Sequence, residues 1–157
     1  MKFFDDLRVG DRFEVGQFHF TAENIKSFAT RFDPQPFHLD EAAAAKSHFG
    51  ALCASGWQAA VVWMPMMVAY RKRMADEMRA RGETPAVTGP APGIRNLKWL
   101  KPVYAGDTVT YATEITAMRA SASRPDWGLA TLLTTGDNQT GVRVISFDSI
   151  SFVSRRV

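Results

Sequence analysis

The segment from Trp57 to Tyr70 constrains the fold most strongly, because it is apolar nearly all round and is interrupted only by Gln58. A helix of this kind is normally buried on most of its sides. It is too short to cross a bilayer, which takes about 20 residues. The sequence therefore predicts a long central helix from about Gly56 to Arg81, kinked midway by a proline, whose charged second half leaves the core.

Strand candidates on both sides of this helix can supply the layer that buries it. In the segment 107–119, apolar residues share one face of an alternating pattern, namely Val109, Tyr111, Ile115 and Ala117. The other candidates are the segments 12–20, 94–103, 127–135 and 142–153. Changes of apolar parity, one of them at Gly16, predict bulged and curved strands. The simplest arrangement is an α+β fold in which a curved antiparallel sheet wraps around the helix, with open edges that favour a homodimer.

Two shorter helices are predicted before the central one. Thr21 is a suitable N-cap for a helix ending near Arg31, because Pro34 disfavours helical backbone at Asp33. Asp40 can cap a second helix over residues 41–46. The segment 82–93 is rich in proline and glycine and is interpreted as a loop inside one domain spanning residues 1–157.

Composition and charge exclude several classes of protein. With 46% hydrophobic and 22% charged residues, the chain is neither disordered nor stapled by disulfides. Its single cysteine, Cys53, and its scattered histidines give no metal-ligand spacing, so we expect no metal and a reducing compartment. The net charge is only +3, and the densest basic stretch, near the end of the central helix, has no interleaved aromatic residues, so we expect no nucleic-acid partner. The longest apolar run is too short to span a bilayer, so we expect no membrane partner either. The N-terminus has no apolar signal segment, which predicts a cytoplasmic protein.

The segment from Phe32 to Asp40 carries the clearest chemical signal. Asp33 and His38 lie five residues apart with two prolines between them, which we expect to exclude a helix there. Extended, the two residues would be about 16–18 Å apart, so they converge only if the chain curves around a pocket. The alternative is purely structural: Asp33 ends one helix and His38 merely precedes the Asp40 cap.

A glycine at the start of the central helix is the second signal. The N–H of Gly56 has no intrahelical acceptor, no side chain obstructs it, and the helix dipole adds partial positive charge. Such a group can stabilise a carbonyl oxygen that gains negative charge. The alternative is a loop glycine that only permits close packing.

Together these two segments resemble a known family. The pattern Asp-x-x-Pro-x-His, followed eighteen residues later by the helix-opening glycine, is similar to that of the MaoC-like acyl dehydratases, which include the (R)-specific enoyl-CoA hydratases and have hot-dog folds. The resemblance covers the whole chain. It includes the segments 7–11, 32–40, 54–56, 100–103 and 106–107.

The resemblance implies a hydro-lyase of fatty-acid metabolism that adds water reversibly to a trans-2-enoyl thioester. It implies that Asp33 and His38 form the catalytic pair, that the Gly56 N–H binds the thioester carbonyl, and that the substrate is also bound by Ser55, Phe37 and Gln35. CoA or an acyl carrier enters only as part of the substrate, no separate cofactor is expected, and the expected assembly is a homodimer or a dimer of dimers.

Two departures from the family pattern bear on the substrate. The hydratases usually have asparagine at the position of Gln35, and a Ser-Gly pair where this chain has Arg31 and Phe32. These differences leave the acyl group open. Two other functions also stay open on the same fold: thioester hydrolysis, and acyl-thioester binding without catalysis.

Overall fold

One antiparallel sheet and a set of helices on one of its faces make up the structure, a computed structural model that describes residues 2–156. Met1 and Val157, the ends of the predicted domain, lie outside the described residues. The strands are β1 Arg12–His19, β2 Ile94–Trp99, β3 Thr108–Ala120, β4 Trp127–Asn138 and β5 Arg143–Ser154. The helices are α1 Ala22–Phe32, α2 Pro36–Leu39, α3 Glu41–Ala45, α4 Gly56–Val61 and α5 Trp63–Ala80, preceded by a 3-10 turn at Phe4–Asp6.

The sheet order is β1-β3-β4-β5-β2, and every neighbouring pair is antiparallel. The register shifts at Gly16 in β1, as the sequence predicts, and again within β2, β3 and β4. Bulges of this kind increase strand twist and bend the sheet. The sheet therefore curves around the helices, which confirms the predicted α+β hot-dog arrangement.

The core lies between the concave face of the sheet and the α4–α5 helices. Trp63 and Met67 are buried on α5, and the Trp63 ring packs edge-on against Phe147 of β5 at 5.1 Å between centroids. The Tyr111 hydroxyl of β3 donates to the Ala59 carbonyl of α4 at 2.7 Å. Burying a side chain such as Phe147 contributes about 1.5–3 kcal/mol. These contacts fix the start of the helical layer against the sheet.

The predicted central helix is interrupted earlier than expected. It divides into α4 and α5 at Val62, three residues before Pro65. Proline lacks the N–H that would bond to the carbonyl of Val61, and its ring clashes with that carbonyl. The interruption therefore lies where the proline disturbs the preceding turn, rather than at the proline itself.

Three other details differ from the sequence predictions. Residues 36–39 form one helical turn, because Pro36 occupies its first position, where a missing N–H costs nothing. Ala117 leaves the buried face, because β3 shifts register between Ile115 and Ala117. Strand β4 continues to Asn138, past the predicted turn at Gly136.

The caps at Thr21 and Asp40 are confirmed, with their side chains accepting from the N–H groups of residues 24 and 43. Within residues 2–156, no helix has both the length and the apolar character needed to cross a membrane.

Candidate active site

A cavity of about 410 Å³ opens where α2 and the start of α4 meet the chain that follows β2. Its lining includes all six residues singled out in the sequence: Asp33, Gln35, Phe37, His38, Ser55 and Gly56. The chain between Asp33 and His38 therefore does curve around a pocket. The purely structural interpretation of this segment does not account for that convergence.

Asp33 is placed by the end of α1. Its backbone N–H donates to Ala29, and its own conformation is non-helical, as Pro34 requires. Each carboxylate oxygen has one side-chain donor: Ser55 Oγ donates to Oδ2 at 2.6 Å, and Gln35 Nε2 donates to Oδ1 at 2.8 Å. The carboxylate is thus held on both sides while it still faces the cavity.

His38 is buried in the single turn of α2. Its Nδ1 lies 2.7 Å from the carbonyl oxygen of Cys53, and the Phe37 ring packs edge-on against the imidazole at 4.6 Å. A carbonyl oxygen can only accept a hydrogen bond, so Nδ1 carries the hydrogen. In the neutral ring Nε2 then carries the lone pair, and this is the nitrogen nearest to Asp33.

Asp33 Oδ2 and His38 Nε2 are 3.5 Å apart. Partial burial raises the pKa of Asp33, but the hydrogen bonds from Ser55 and Gln35 and the proximity of His38 outweigh it, so the net pKa is lowered. At neutral pH the site therefore presents an ionised carboxylate beside an imidazole nitrogen.

Ser55 and Gly56 form the N-terminus of α4. The Ser55 hydroxyl accepts from the Trp57 N–H at 3.2 Å while it donates to Asp33, so one side chain both caps the helix and positions the carboxylate. Within residues 2–156, the Gly56 N–H has no hydrogen-bond acceptor. Gly56 also lines the cavity, so this donor is available near the Asp33–His38 pair.

Trp99, at the end of β2, is a site residue that the sequence analysis missed. Its indole Nε1 donates to the Gly56 carbonyl at 2.8 Å, and its ring packs edge-on against Trp57 at 5.2 Å. A Cβ added to Gly56 would lie 2.7 Å from the Trp99 ring. The glycine is therefore required by close packing as well as by any role of its N–H. A contact across 43 residues leaves no local signal in the sequence.

Cys53 contributes its backbone rather than its thiol. The side chain is buried, and burial raises the pKa of the Cys53 thiol to about 11. The thiolate that acts as a nucleophile is therefore scarce at neutral pH. The carbonyl of this residue orients His38 instead.

Comparisons with known proteins agree with this fold. A family model described as "FAS1-like, dehydratase domain region" matches residues 8–147. A crystal structure of the MaoC-like dehydratase from Rhodospirillum rubrum is 35% identical, with a TM-score of 0.78 over 100% of this chain and 99% of that one. This chain belongs to the MaoC-like dehydratase family. The hydratase and dehydratase chemistry of that family is thereby supported in general terms.

Two further relatives match nearly the whole length of this chain. An uncharacterised protein of Bacillus subtilis, YdeM, is 25% identical over 151 residues, which is 96% of this chain and 98% of the relative. The (R)-hydratase of A. caviae, described as involved in PHA biosynthesis, is 25% identical with a TM-score of 0.67, over 93% of this chain and 96% of that one. Compared with the usual asparagine of the hydratases, this member has the longer Gln35, whose amide reaches the Asp33 carboxylate.

Proposed function

We propose that this protein catalyses the reversible addition of water to a trans-2-enoyl thioester, giving a 3-hydroxyacyl thioester. In the forward direction the water oxygen bonds to C3, the C2–C3 double bond is lost, and a proton is added at C2. The observation that carries the proposal is the 3.5 Å separation of Asp33 Oδ2 and His38 Nε2 in a cavity that also contains the Gly56 N–H.

The two dyad atoms suit a bound water. In the neutral tautomer set by the Cys53 carbonyl, Nε2 is an acceptor like the carboxylate, and two acceptors 3.5 Å apart can each receive one hydrogen from the same water molecule. As the water attacks C3, the pair takes up one of its protons, and a proton is returned to C2. The two groups lie 3.5 Å apart, close enough to share one water molecule, so the proton is assigned to the dyad as a unit.

The attack moves electrons into the thioester carbonyl, and this oxygen needs a donor. Among residues 2–156 the Gly56 N–H has no acceptor; Gly56 belongs to the first turn of α4 and lines the same cavity. One preorganised donor of this kind stabilises the transition state by about 3–4 kcal/mol. Ser55 and Gln35 then act as positioning residues through Asp33, and Phe37 acts by packing against His38.

We also propose a homodimer. Four side chains at helical spacing, each 46–58% exposed, form an apolar stripe on α4 and α5: Trp57, Val61, Met64 and Val68. Beside it lies Trp99 of β2, an edge strand of the sheet that also exposes Ile94. An open edge next to an apolar stripe favours a second copy of the chain, which would extend the sheet and cover the stripe.

The assembly is tested by light scattering on the purified protein. We expect the mass of a dimer or a dimer of dimers for the wild type, a reduced mass for the Met64→Glu/Val68→Glu variant, and no change for Gln17→Glu on the opposite edge strand. A monomeric wild type would contradict the homodimer.

Crotonyl-CoA tests the activity. We expect loss of enoyl absorbance without release of free thiol. Asp33→Asn and His38→Ala should each lower the hydration rate by about 10²–10⁴-fold. Asp126→Asn and His19→Ala, the same changes at exposed positions, are the matched controls. Wild-type rates in both dyad variants would overturn the assignment. Release of thiol would indicate a thioesterase, and binding without either signal would indicate a non-catalytic acyl-thioester binder.

A further inference from the structure

A second cavity, of about 330 Å³, lies between the later turns of α5 and the concave face of the sheet. It shares no lining residue with the dyad cavity, and the buried Trp63–Phe147 contact belongs to neither lining. Met67 is the last buried side chain of α5. Beyond it the α5 side chains that face the sheet are only partly buried, and this is where the cavity opens.

The walls of this cavity are mostly apolar. From α5 come the methionines 67, 74 and 78 together with Tyr70, whose ring stacks on Phe13 of β1 at 4.8 Å. From the sheet come Ile115, Leu132 and Val153. Small-molecule sites span about 300–1,000 Å³ and have mainly apolar walls with a few polar groups. This cavity lies at the small end of that range, which favours a short apolar chain.

Arg71 lies in this mostly apolar wall, and its positive charge has few compensating contacts there. Its Nη2 donates to the Ser151 hydroxyl at 3.2 Å, and across residues 2–156 no carboxylate lies within ion-pair distance of it. Burial lowers the pKa of Arg71, although a guanidinium stays charged at neutral pH. Arg71 is partly buried, and even a partly buried charge is costly to leave without a partner; an arginine binds a carboxylate through two parallel hydrogen bonds.

The other charges around the cavity do not supply that partner. The titratable residues that line it are Lys2, Asp11, Arg12, Tyr70, Arg71, Glu77 and Arg81. The Asp11 carboxylate accepts from the backbone of Arg8, and Glu77 is exposed. Formal charge around the cavity is therefore positive, with four cations and two carboxylates.

We propose that this cavity binds a short-chain or medium-chain monocarboxylate, whose head pairs with Arg71 and whose hydrocarbon tail lies among the methionines of α5 and the apolar side chains of β3, β4 and β5. The guanidinium fork, the adjacent Ser151 hydroxyl and the apolar walls match the two ends of such a ligand. This is a site separate from the dyad cavity, and it does not depend on the proposed hydration activity.

Isothermal titration of the wild-type protein with octanoate at neutral pH tests the site. We expect saturable binding of octanoate, and binding at least about tenfold weaker for octanol, which lacks the charge, and for acetate, which lacks the tail. Absence of octanoate binding, or equal affinity for octanol, would overturn the proposal.

Variants then locate the ligand. Arg71→Met removes the charge, and Met74→Trp fills the cavity. Each should weaken octanoate binding at least about tenfold. Arg79→Met, an exposed change of the same charge on the same helix, should leave it unchanged. Should Arg71→Met not fold, Met74→Trp and Arg71→Lys provide the same comparison. In the Asp33→Asn variant, octanoate should bind with the same affinity whether or not crotonyl-CoA is present at saturation. Displacement of octanoate by crotonyl-CoA would contradict a separate site. Unchanged octanoate affinity in Arg71→Met would contradict the placement of the ligand beside Arg71.

Discussion

The two cavities along the helical layer differ in how their charged groups are satisfied. In the dyad cavity, both oxygens of Asp33 and the Nδ1 of His38 have partners within the protein. In the α5 cavity, Arg71 has one hydroxyl contact among residues 2–156. The first site holds its polar groups in place within the protein, whereas the second leaves a charge that an anionic ligand would neutralise. This difference makes opposite predictions for substitutions at the two sites.

The largest effect after loss of the dyad itself is expected for Gly56→Ala. The added methyl group would lie 2.7 Å from the Trp99 ring, so the ring must shift and its hydrogen bond to the Gly56 carbonyl would be lost. Overpacking of this kind costs about 1–3 kcal/mol of unfolding free energy. A displaced N–H donor would lower crotonyl-CoA hydration by about 10²-fold.

The double variant Gly56→Ala/Trp99→Ala is the control for that substitution. Removing the indole makes room for the methyl group, so denaturant unfolding should show non-additive costs for the two changes. Additive costs would mean that Trp99 does not impose glycine at this position.

The place of Gly56 at the start of the central helix could be predicted from sequence, but its packing against Trp99 could not. Local chemistry made several features readable: the caps at Thr21 and Asp40, the bulge at Gly16, and the spacing of Asp33 and His38. Each depends on a few consecutive residues and their backbone preferences.

Features set by distant contacts left no such signal. The Cys53 carbonyl that orients His38 belongs to a segment 15 residues away, and nothing in the sequence around Cys53 indicates that contact. The helical turn at Pro36 was excluded because a proline was read as a helix breaker, although the first helical position accepts it. The cavity between α5 and the sheet depends on the distance between them. The hydrophobic periodicity of the sequence does not determine that distance.

Ser55→Ala should give the next largest effect. Loss of the α4 cap costs about 0.5–2 kcal/mol of unfolding free energy. Loss of the hydroxyl also removes a hydrogen bond that lowers the pKa of Asp33, so this pKa should rise toward its ordinary value. Because the reaction needs ionised Asp33, the acid limb of the rate profile should move to higher pH.

The pH dependence of stability gives a second test of Ser55→Ala. The lowered pKa of Asp33 means that its ionised form stabilises the folded protein above the ordinary carboxyl range, and that this contribution is lost as pH falls through the lowered value. Thr21→Ala is the matched control, because it removes the α1 cap without touching Asp33. A shifted acid limb in Thr21→Ala, or an unshifted one in Ser55→Ala, would contradict the positioning role of Ser55.

Gln35→Ala should have a smaller effect of the same sign. Gln35 is exposed, and its amide supplies one hydrogen bond to Asp33 Oδ1, so its removal should lower the hydration rate by less than about tenfold. The pKa of Asp33 should rise, because this hydrogen bond contributes to its lowering after that of Ser55. The exposed Gln17→Ala on β1 is the control, and pH–rate profiles of the two variants provide the measurement. A larger shift of the acid limb than in Ser55→Ala would reverse the order of the two positioning residues.

The smallest effect, and the one of opposite sign, is expected for Arg71→Met. Within residues 2–156 the partly buried Arg71 has no carboxylate partner, so replacing it with an apolar side chain of similar length removes a desolvation cost while keeping the packing. Denaturant unfolding should therefore show stability that is unchanged or raised by up to about 1 kcal/mol. The exposed Arg79→Met loses a solvent-screened pair with Asp76 and should change stability little, in the destabilising direction. If Arg71→Met lost several kcal/mol instead, its guanidinium would already be satisfied within the protein, and the contrast between the two cavities would disappear.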